Sequence, residues 1–356
     1  MRNDPLRILV AEDSPTARRL LVEILRADPG LTVVGEAKDG VEAVELAHRL
    51  RPSLVTMDIQ MPRMDGLEAT RRIMTEVPTP VVVVSTLVER DIQTSMAALR
   101  AGALAVLQKP VGPEAPDFDA DSRRLRDTLR AMAEVKVVRR WPERTAATPP
   151  TSVPVVEAPA AAPVKTAVVA LAASTGGPAA LFRVLSELPA GFPVPLLVVQ
   201  HIAIGFGQGL AQWLGTAGPL PVKVAGDGEP LLPGHVYLAP DDRHLGVHPD
   251  RRVEVSRAAP INGFRPSATW LFRSVARTYG PASLAVVLTG MGQDGLDGVR
   301  ELHDAGGHVL AQDEGSSVVY GMPGVVVAAN LAHEVVPLPS IASRLLAAVR
   351  TGAPLT

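Results

Sequence analysis

Two doubly wound parallel α/β domains joined by a proline-rich tether are the fold class this sequence predicts, on three observations. Short apolar runs alternate with helical patterns before residue 140, and the same alternation resumes after residue 165. Between them, residues 141–164, "WPERTAATPPTSVPVVEAPAAAPV", hold six Pro and six Ala with neither helical nor strand period, the composition of an extended, semi-rigid linker. At 356 residues, 47% hydrophobic and 20% charged, the chain is long enough for two separate cores. The predicted domains are therefore residues 1–140, flavodoxin-like, and residues 165–356, Rossmann-like with a β-hairpin excursion.

In the first domain the strands fall on "RILVA", "LTVVGEA", "SLVTM", "PVVVVS" and "LAVLQ". The helix in "SPTARRLLVEILRAD" opens with Ser14 as cap and Pro15 in the first turn, and Leu20, Leu21, Ile24 and Leu25 form its apolar stripe. A last helix in "DSRRLRDTLRAMAEVKVVRR" runs towards the tether. In the second domain "TAVVALAA", "PLLVVQH" and "SLAVVLTG" read as parallel strands, each followed by a glycine-containing turn and a helical pattern. Between them "HVYLAP", "HLGVHP" and "RRVEVS", punctuated by Pro, Asp and Gly, read as the hairpin excursion.

Composition excludes several function classes. A formal charge of −2 with no dominant basic block gives no footprint for nucleic acid or an anionic membrane. With no cysteine there is no disulfide, thiolate nucleophile or Cys-ligated metal. The start "MRNDPLRILV" lacks a signal-peptide core, and no apolar run approaches the ~20 residues of a membrane span. A cytoplasmic protein without direct membrane insertion is expected.

In an open parallel sheet, function collects outside the carboxyl ends of the strands. In the first domain those ends carry Glu12 and Asp13, Asp58, Ser85, and Lys109 followed by Pro110. Crowded carboxylates repel one another unless a cation sits among them, and all-oxygen ligation with room for water suits Mg²⁺ at Glu12, Asp13 and Asp58. Asp58 is then placed to attack a phosphoryl group, with Lys109 and the Ser85 hydroxyl on its oxygens. Helix capping is the plainer alternative for any one of these carboxylates. Together "RILVAEDSP", "VTMDIQMPRMDG", "VVVVSTL" and "LQKP" resemble the receiver domain of response regulators over residues 6–112. The resemblance implies a phosphoacceptor Asp58, an acidic metal site at Glu12 and Asp13, a switch hydroxyl at Ser85, a phosphate-binding Lys109 and a histidine kinase as phosphodonor. Glu12 stands where Asp is commoner.

In the second domain the stretch "LAASTGGP" sits at a strand-to-helix turn, as a phosphate-cradling loop would. The dinucleotide fingerprint fails, because there is no G-x-G-x-x-G and the next strand ends in Gln200 and His201 rather than an acidic residue. No P-loop Gly-Lys-Ser/Thr is present either. The stretch is closer to a nucleophile turn of the G-x-S-x-G type, with Ala172 for the first glycine and Ser174 lifted from the sheet edge. A serine needs a base. Of the eight histidines only His201 ends an apolar parallel strand of the same sheet. Asp294, in "MGQDG" after "SLAVVLTG", is placed to hold its tautomer, with capping of "LDGVRELHDAG" as the alternative. Backbone N–H groups at Thr175 and near Met291 are oxyanion candidates.

The set "ASTGGP", "VVQH", "DGEPLLPGHVYLAP", "RPSATWLF", "LTGMGQDG" and "SSVVYGMP" resembles the catalytic domain of the chemotaxis protein-glutamate methylesterases over about residues 166–350. The resemblance implies Ser174 as nucleophile, His201 as base and Asp294 as orienting acid, with no cofactor at the hydrolase site. It implies a phosphorylation-activated esterase, able also to deamidate glutamine, acting on methylated chemoreceptors. Departures from the family pattern fall at Ala172, at Ile202–Ala203 and at Thr269. The competing readings are a paralogue acting on a receptor-like protein outside flagellar chemotaxis, and a non-catalytic, receiver-controlled binding module.

Overall fold

In the computed structural model, residues 4–85, 97–99, 101–115, 118–133, 135 and 166–351 are described. The predicted tether, 141–164, and the end of the helix expected to reach residue 140 lie outside them. The chain divides into two compact units whose main boundary falls at Arg140–Trp141, and each is taken by itself.

The first unit is a five-stranded, wholly parallel sheet of β1 (Leu6–Ala11), β2 (Leu31–Ala37), β3 (Leu54–Met57), β4 (Val81–Ser85) and β5 (Ala105–Gln108), in the order β2-β1-β3-β4-β5. That is the flavodoxin-like order, whose winding reverses between β1 and β3. All five runs expected as strands form them. β3 and β4 are buried along their whole length, as continuous apolar runs covered on both faces must be. In helix Pro15–Arg26 the Ser14 side chain accepts from the Ala17 N–H, as its sequence predicts. Its buried face is Leu21, Val22, Ile24 and Leu25, with Leu20 only half-buried. Leu20 and Val22 flank the stripe on opposite sides and are both apolar, so periodicity leaves the choice to the sheet the helix packs on.

The second unit has seven parallel strands: β6 (Val168–Ala173), β7 (Leu196–Gln200), β8 (Val222–Val224), β9 (Val236–Leu238), β12 (Ser283–Val287), β13 (His308–Gln312) and β14 (Glu334–Val336). Their order is β14-β13-β12-β6-β7-β9-β8, and the winding reverses between β6 and β12. The excursion is smaller than its sequence predicts. Only β10 (His244–Val247) and β11 (Val253–Ser256) make an antiparallel hairpin, whereas the run "HVYLAP" supplies β9, inserted in parallel between β7 and β8. Three-residue strands carry too little period to be placed from sequence. What pins β9 is the buried Tyr237, whose hydroxyl donates to Pro230 O at 2.9 Å and accepts from the Leu232 N–H at 2.9 Å. β6, β7 and β12 are buried throughout, and each buried Val or Leu side chain contributes ~1.5–3 kcal/mol. Their rigidity fixes where their carboxyl ends point.

Among the described residues no helix is long and apolar enough to cross a membrane.

Candidate functional site

Each unit gathers polar side chains where its winding reverses. In the first, Glu12 and Asp13 follow β1, Asp58 follows β3, Ser85 ends β4 and Lys109 follows β5. The Lys109 Nζ lies 2.8 Å from Glu12 Oε2 and 2.8 Å from Asp58 Oδ2. One oxygen from each of Glu12, Asp13 and Asp58 lies within 4.8 Å of the others. The second Asp58 oxygen accepts the Ile59 N–H at 2.7 Å. Ser85 is fully buried, and its carbonyl accepts the Lys109 N–H at 2.9 Å, which ties the ends of β4 and β5.

Burial pushes the Asp58 carboxyl up, and the hydrogen bond and charge of Lys109 only partly offset it. Burial also raises Glu12, and the Asp58 charge raises it further. Burial works against the Lys109 ammonium, but its two carboxylate partners outweigh that and hold it above the usual lysine range. Three carboxylates against one ammonium leave an excess of negative charge. Such an all-oxygen donor set fits a hard divalent cation.

In the second unit, Ser174 follows β6 and His201 follows β7, at neighbouring strand ends. The Ser174 N–H donates to Thr289 O and the His201 N–H to Ala173 O, both at 3.0 Å. Gln200, buried at the end of β7, clamps the pair: its Nε2 donates to Ser174 O at 2.7 Å and to His201 O at 2.8 Å. That clamp explains the second of the two glycines, and backbone conformation explains the first. Gly176 sits at φ +75°, and a Cβ on Gly177 would lie 2.0 Å from the Gln200 side-chain oxygen. Helix Gly177–Ser186 therefore starts immediately beneath the serine turn.

Asp294 is brought to His201, with Nε2 and Oδ2 2.9 Å apart. It caps a helix, but not the one expected: Leu296–Asp304 has no side-chain cap, and Asp294 instead faces the N-terminus of helix Ala268–Tyr279. There it accepts from Ser267 Oγ at 2.7 Å, Ala268 N–H at 2.6 Å and Thr269 N–H at 3.3 Å. Burial alone would raise this carboxyl, but the bonds and charge from His201, Ser267 and Ala268 outweigh it and hold Asp294 below the usual range. Nearby, His244 is fully buried, with its Nδ1 accepting the Ser267 N–H at 3.2 Å, its Nε2 3.1 Å from Ala259 O and its ring stacked on Trp270. Burial holds His244 below the usual histidine range, so it is neutral and supports the residue that supports Asp294.

The face of the His201 ring is covered by Phe264, with centroids 4.3 Å apart and planes 16° from parallel. Its Nδ1 is buried and has no hydrogen-bond partner among the described residues. Of the two oxyanion candidates, Thr175 directly follows Ser174, and Met291 follows Gly290, where a Cβ would lie 2.8 Å from the Ser174 Cβ. The Thr175 carbonyl is bonded by Thr289 Oγ1, and Gly290, before Met291, is pinned by Val319 O and by the Gly321 and Met322 N–H groups. Of the sequence departures, Ala172 is buried inside β6, and Thr269 is buried beside Asp294, where its Oγ1 accepts the Gly295 N–H at 2.9 Å.

Ser174, His201, Asp294 and all five polar residues of the first rim stand at the strand ends that their sequence predicts, whereas the residues that support them are not among those predicted. Ser267 carried a readable signal, a serine immediately before an apolar helical run. Phe264 carried a weaker one, the Asn262–Gly263 pair that marks a tight turn. Gln200 and His244 carried none.

Comparison with known proteins agrees with both halves. Residues 169–345 match the CheB methylesterase family, and residues 8–115 match the response regulator receiver domain. The "Protein-glutamate methylesterase/protein-glutamine glutaminase 4" of Myxococcus xanthus (strain DK1622) is 86% identical over 350 residues, 98% of this chain and 99% of that protein. A protein of the same description, numbered 3, from Anaeromyxobacter dehalogenans (strain 2CP-C) is 55% identical over 96% of this chain and 98% of its own length. The crystal structure of the Thermotoga maritima CheB methylesterase catalytic domain, 38% identical, superposes with a TM-score of 0.50 over 52% of this chain and 99% of that one. The chain belongs to the CheB methylesterase family, with a response regulator receiver domain ahead of the hydrolase domain.

Proposed function

We propose that this chain is a phosphorylation-activated serine hydrolase that removes methyl groups from glutamate methyl esters on chemoreceptors, and deamidates glutamine, with Ser174, His201 and Asp294 as its working residues. The observation that carries the chemistry is His201, held by Asp294 at Nε2 with its Nδ1 left unbonded at the strand end next to Ser174. Ser174 Oγ attacks the ester carbonyl and its proton passes to His201 Nδ1. Asp294, kept ionised by its donors, stabilises the resulting imidazolium. The N–H groups of Thr175 and Met291 receive the oxyanion. Return of the proton to the leaving oxygen releases methanol, and water attacking through His201 frees the glutamate. With glutamine the leaving group is ammonia.

In the receiver, Glu12, Asp13 and Asp58 would hold Mg²⁺, which supplies positive charge to a phosphoryl group arriving among carboxylates. The Asp58 carboxylate attacks phosphorus as the bond from phosphorus to the kinase's histidine nitrogen breaks and the freed imidazole leaves with the donor, while Lys109 pairs with a phosphoryl oxygen and Ser85 senses the change. The donor is a histidine kinase, the substrate a methylated receptor, and the setting the cytoplasm. Residues 141–164 are the linker through which the two domains stay in one chain.

The test is methanol release from methyl-labelled receptor by the full chain, supplied with Mg²⁺ and a small phosphodonor. Wild type should release methanol and Ser174→Ala should not. Near-normal release by Ser174→Ala would overturn the assignment.

A further inference from the structure

We propose that Phe264 is a positioning residue for His201: its ring holds the imidazole plane so that Nε2 stays on Asp294 and Nδ1 stays available to the Ser174 proton. This rests on the assignment of His201 as base. A single in-plane bond, Nε2 to Asp294 at 2.9 Å, fixes one edge of the imidazole but not its tilt. A second ring 4.3 Å away and 16° from parallel removes that freedom, because any tilt drives one ring edge into the other. The aromatic face is also the electron-rich one, suited to the cation that His201 becomes when it accepts the proton.

Phe264 is itself rigidly presented. Asn262 and Gly263 have φ of +50° and +84°, as the two central residues of a tight hairpin turn require. Ile261 and Phe264 exchange backbone hydrogen bonds of 3.1 and 2.9 Å across that turn. The next residue, Arg265, is anchored to Asp242 through Nε at 2.8 Å and Nη2 at 2.7 Å, and to Ala258 O at 3.2 Å. The clamp is thus fixed on both sides of the phenyl group. Its ring packs on the face of the base, so its removal should slow the chemistry rather than weaken binding.

The experiment uses the full chain with Mg²⁺ and a small phosphodonor, and reads two quantities. One is the rate at which a small fluorophosphonate labels Ser174; the other is kcat and KM for methanol release. Phe264→Leu keeps apolar bulk but loses the flat face, and should slow labelling and kcat between about tenfold and about a hundredfold, with KM unchanged. Phe264→Tyr restores a flat ring and should recover both rates. Labelling of Phe264→Leu at the wild-type rate, or equal slowing in Leu and Tyr variants of unchanged thermal stability, would overturn the proposal. His201→Asn separates it from the reading beneath: loss of labelling there beside normal Phe264→Leu sinks only the clamp, whereas normal labelling of His201→Asn sinks both.

Discussion

Asp58 and Asp294 are both buried aspartates at the carboxyl rim of a parallel sheet, 6% and 3% exposed, yet their surroundings push their carboxyls in opposite directions. Asp58 shares its site with Glu12 and Asp13, and the single ammonium of Lys109 is divided between it and Glu12. Asp294 has no carboxylate neighbour in its bonding set and is met by His201, Ser267 Oγ and the first N–H groups of a helix. The difference shows that burial does not decide what an aspartate does; the count of donors against competing charges does. Under the proposed function, the first site would be changed by a cation and a phosphoryl group, and the second would remain an anion while a neighbour reacts.

The largest effect that could break this contrast is on rate. Asp294→Asn should keep the fold but lower kcat for methanol release by roughly 10⁴-fold, because the amide favours the wrong His201 tautomer. A loss below tenfold would remove Asp294 from the mechanism. In the receiver, Asp58→Asn, or excess chelator with wild type, should bring phosphoryl uptake from a small donor to background, roughly a hundredfold down or more. Uptake that persists in either case would place the phosphoryl group elsewhere.

The next effect is on stability, and its sign should differ between the two sites. Asp294 has a lowered carboxyl, so its contribution is full above the ordinary carboxylate range and is lost as pH falls through its depressed value. Asp58 and Glu12 have raised carboxyls, so their ionised forms cost stability at neutral pH, and that cost is relieved as pH falls through their raised values. In chelator at neutral pH, Asp58→Asn should therefore stabilise the first unit by ~1 kcal/mol, whereas Asp294→Asn should destabilise the second by about 1–3 kcal/mol. Hydrogen exchange of the full chain, read at β1 and β3 and at helix Ala268–Tyr279, measures both. Equal signs would contradict the electrostatic account. The smallest effect concerns Thr269: Thr269→Val removes the acceptor of the Gly295 N–H and should cost ~1 kcal/mol, read as a lowered Tm.

The contrast also marks how far the amino-acid sequence can be read. Both Asp58 and Asp294 were legible as rim residues, because an apolar strand ends a residue or a short turn before each. The five receiver strands were legible for the same reason, being continuous apolar runs between turn signals. What distinguishes the two aspartates was not legible, since it lies in contacts across the fold. Ser267 stands 27 residues before Asp294, and Lys109 stands far along the chain from Glu12. The inserted β9 was misplaced because three residues carry no period, and it is Tyr237, bonding back to Pro230 and Leu232, that fixes it. The unexpected cap of Asp294 has the same origin, for nothing local announces which of two helix starts a carboxylate will meet.

If one rim stores a phosphoryl group to set the rate of the other, steady-state methanol release by the full chain before and after addition of a small phosphodonor, in wild type and in Asp58→Asn, reads it at once. The rate should rise in wild type only, with the resting rate of Asp58→Asn preserved and unresponsive. The same rate before and after phosphodonor in wild type, or an equal rise in Asp58→Asn, would contradict it.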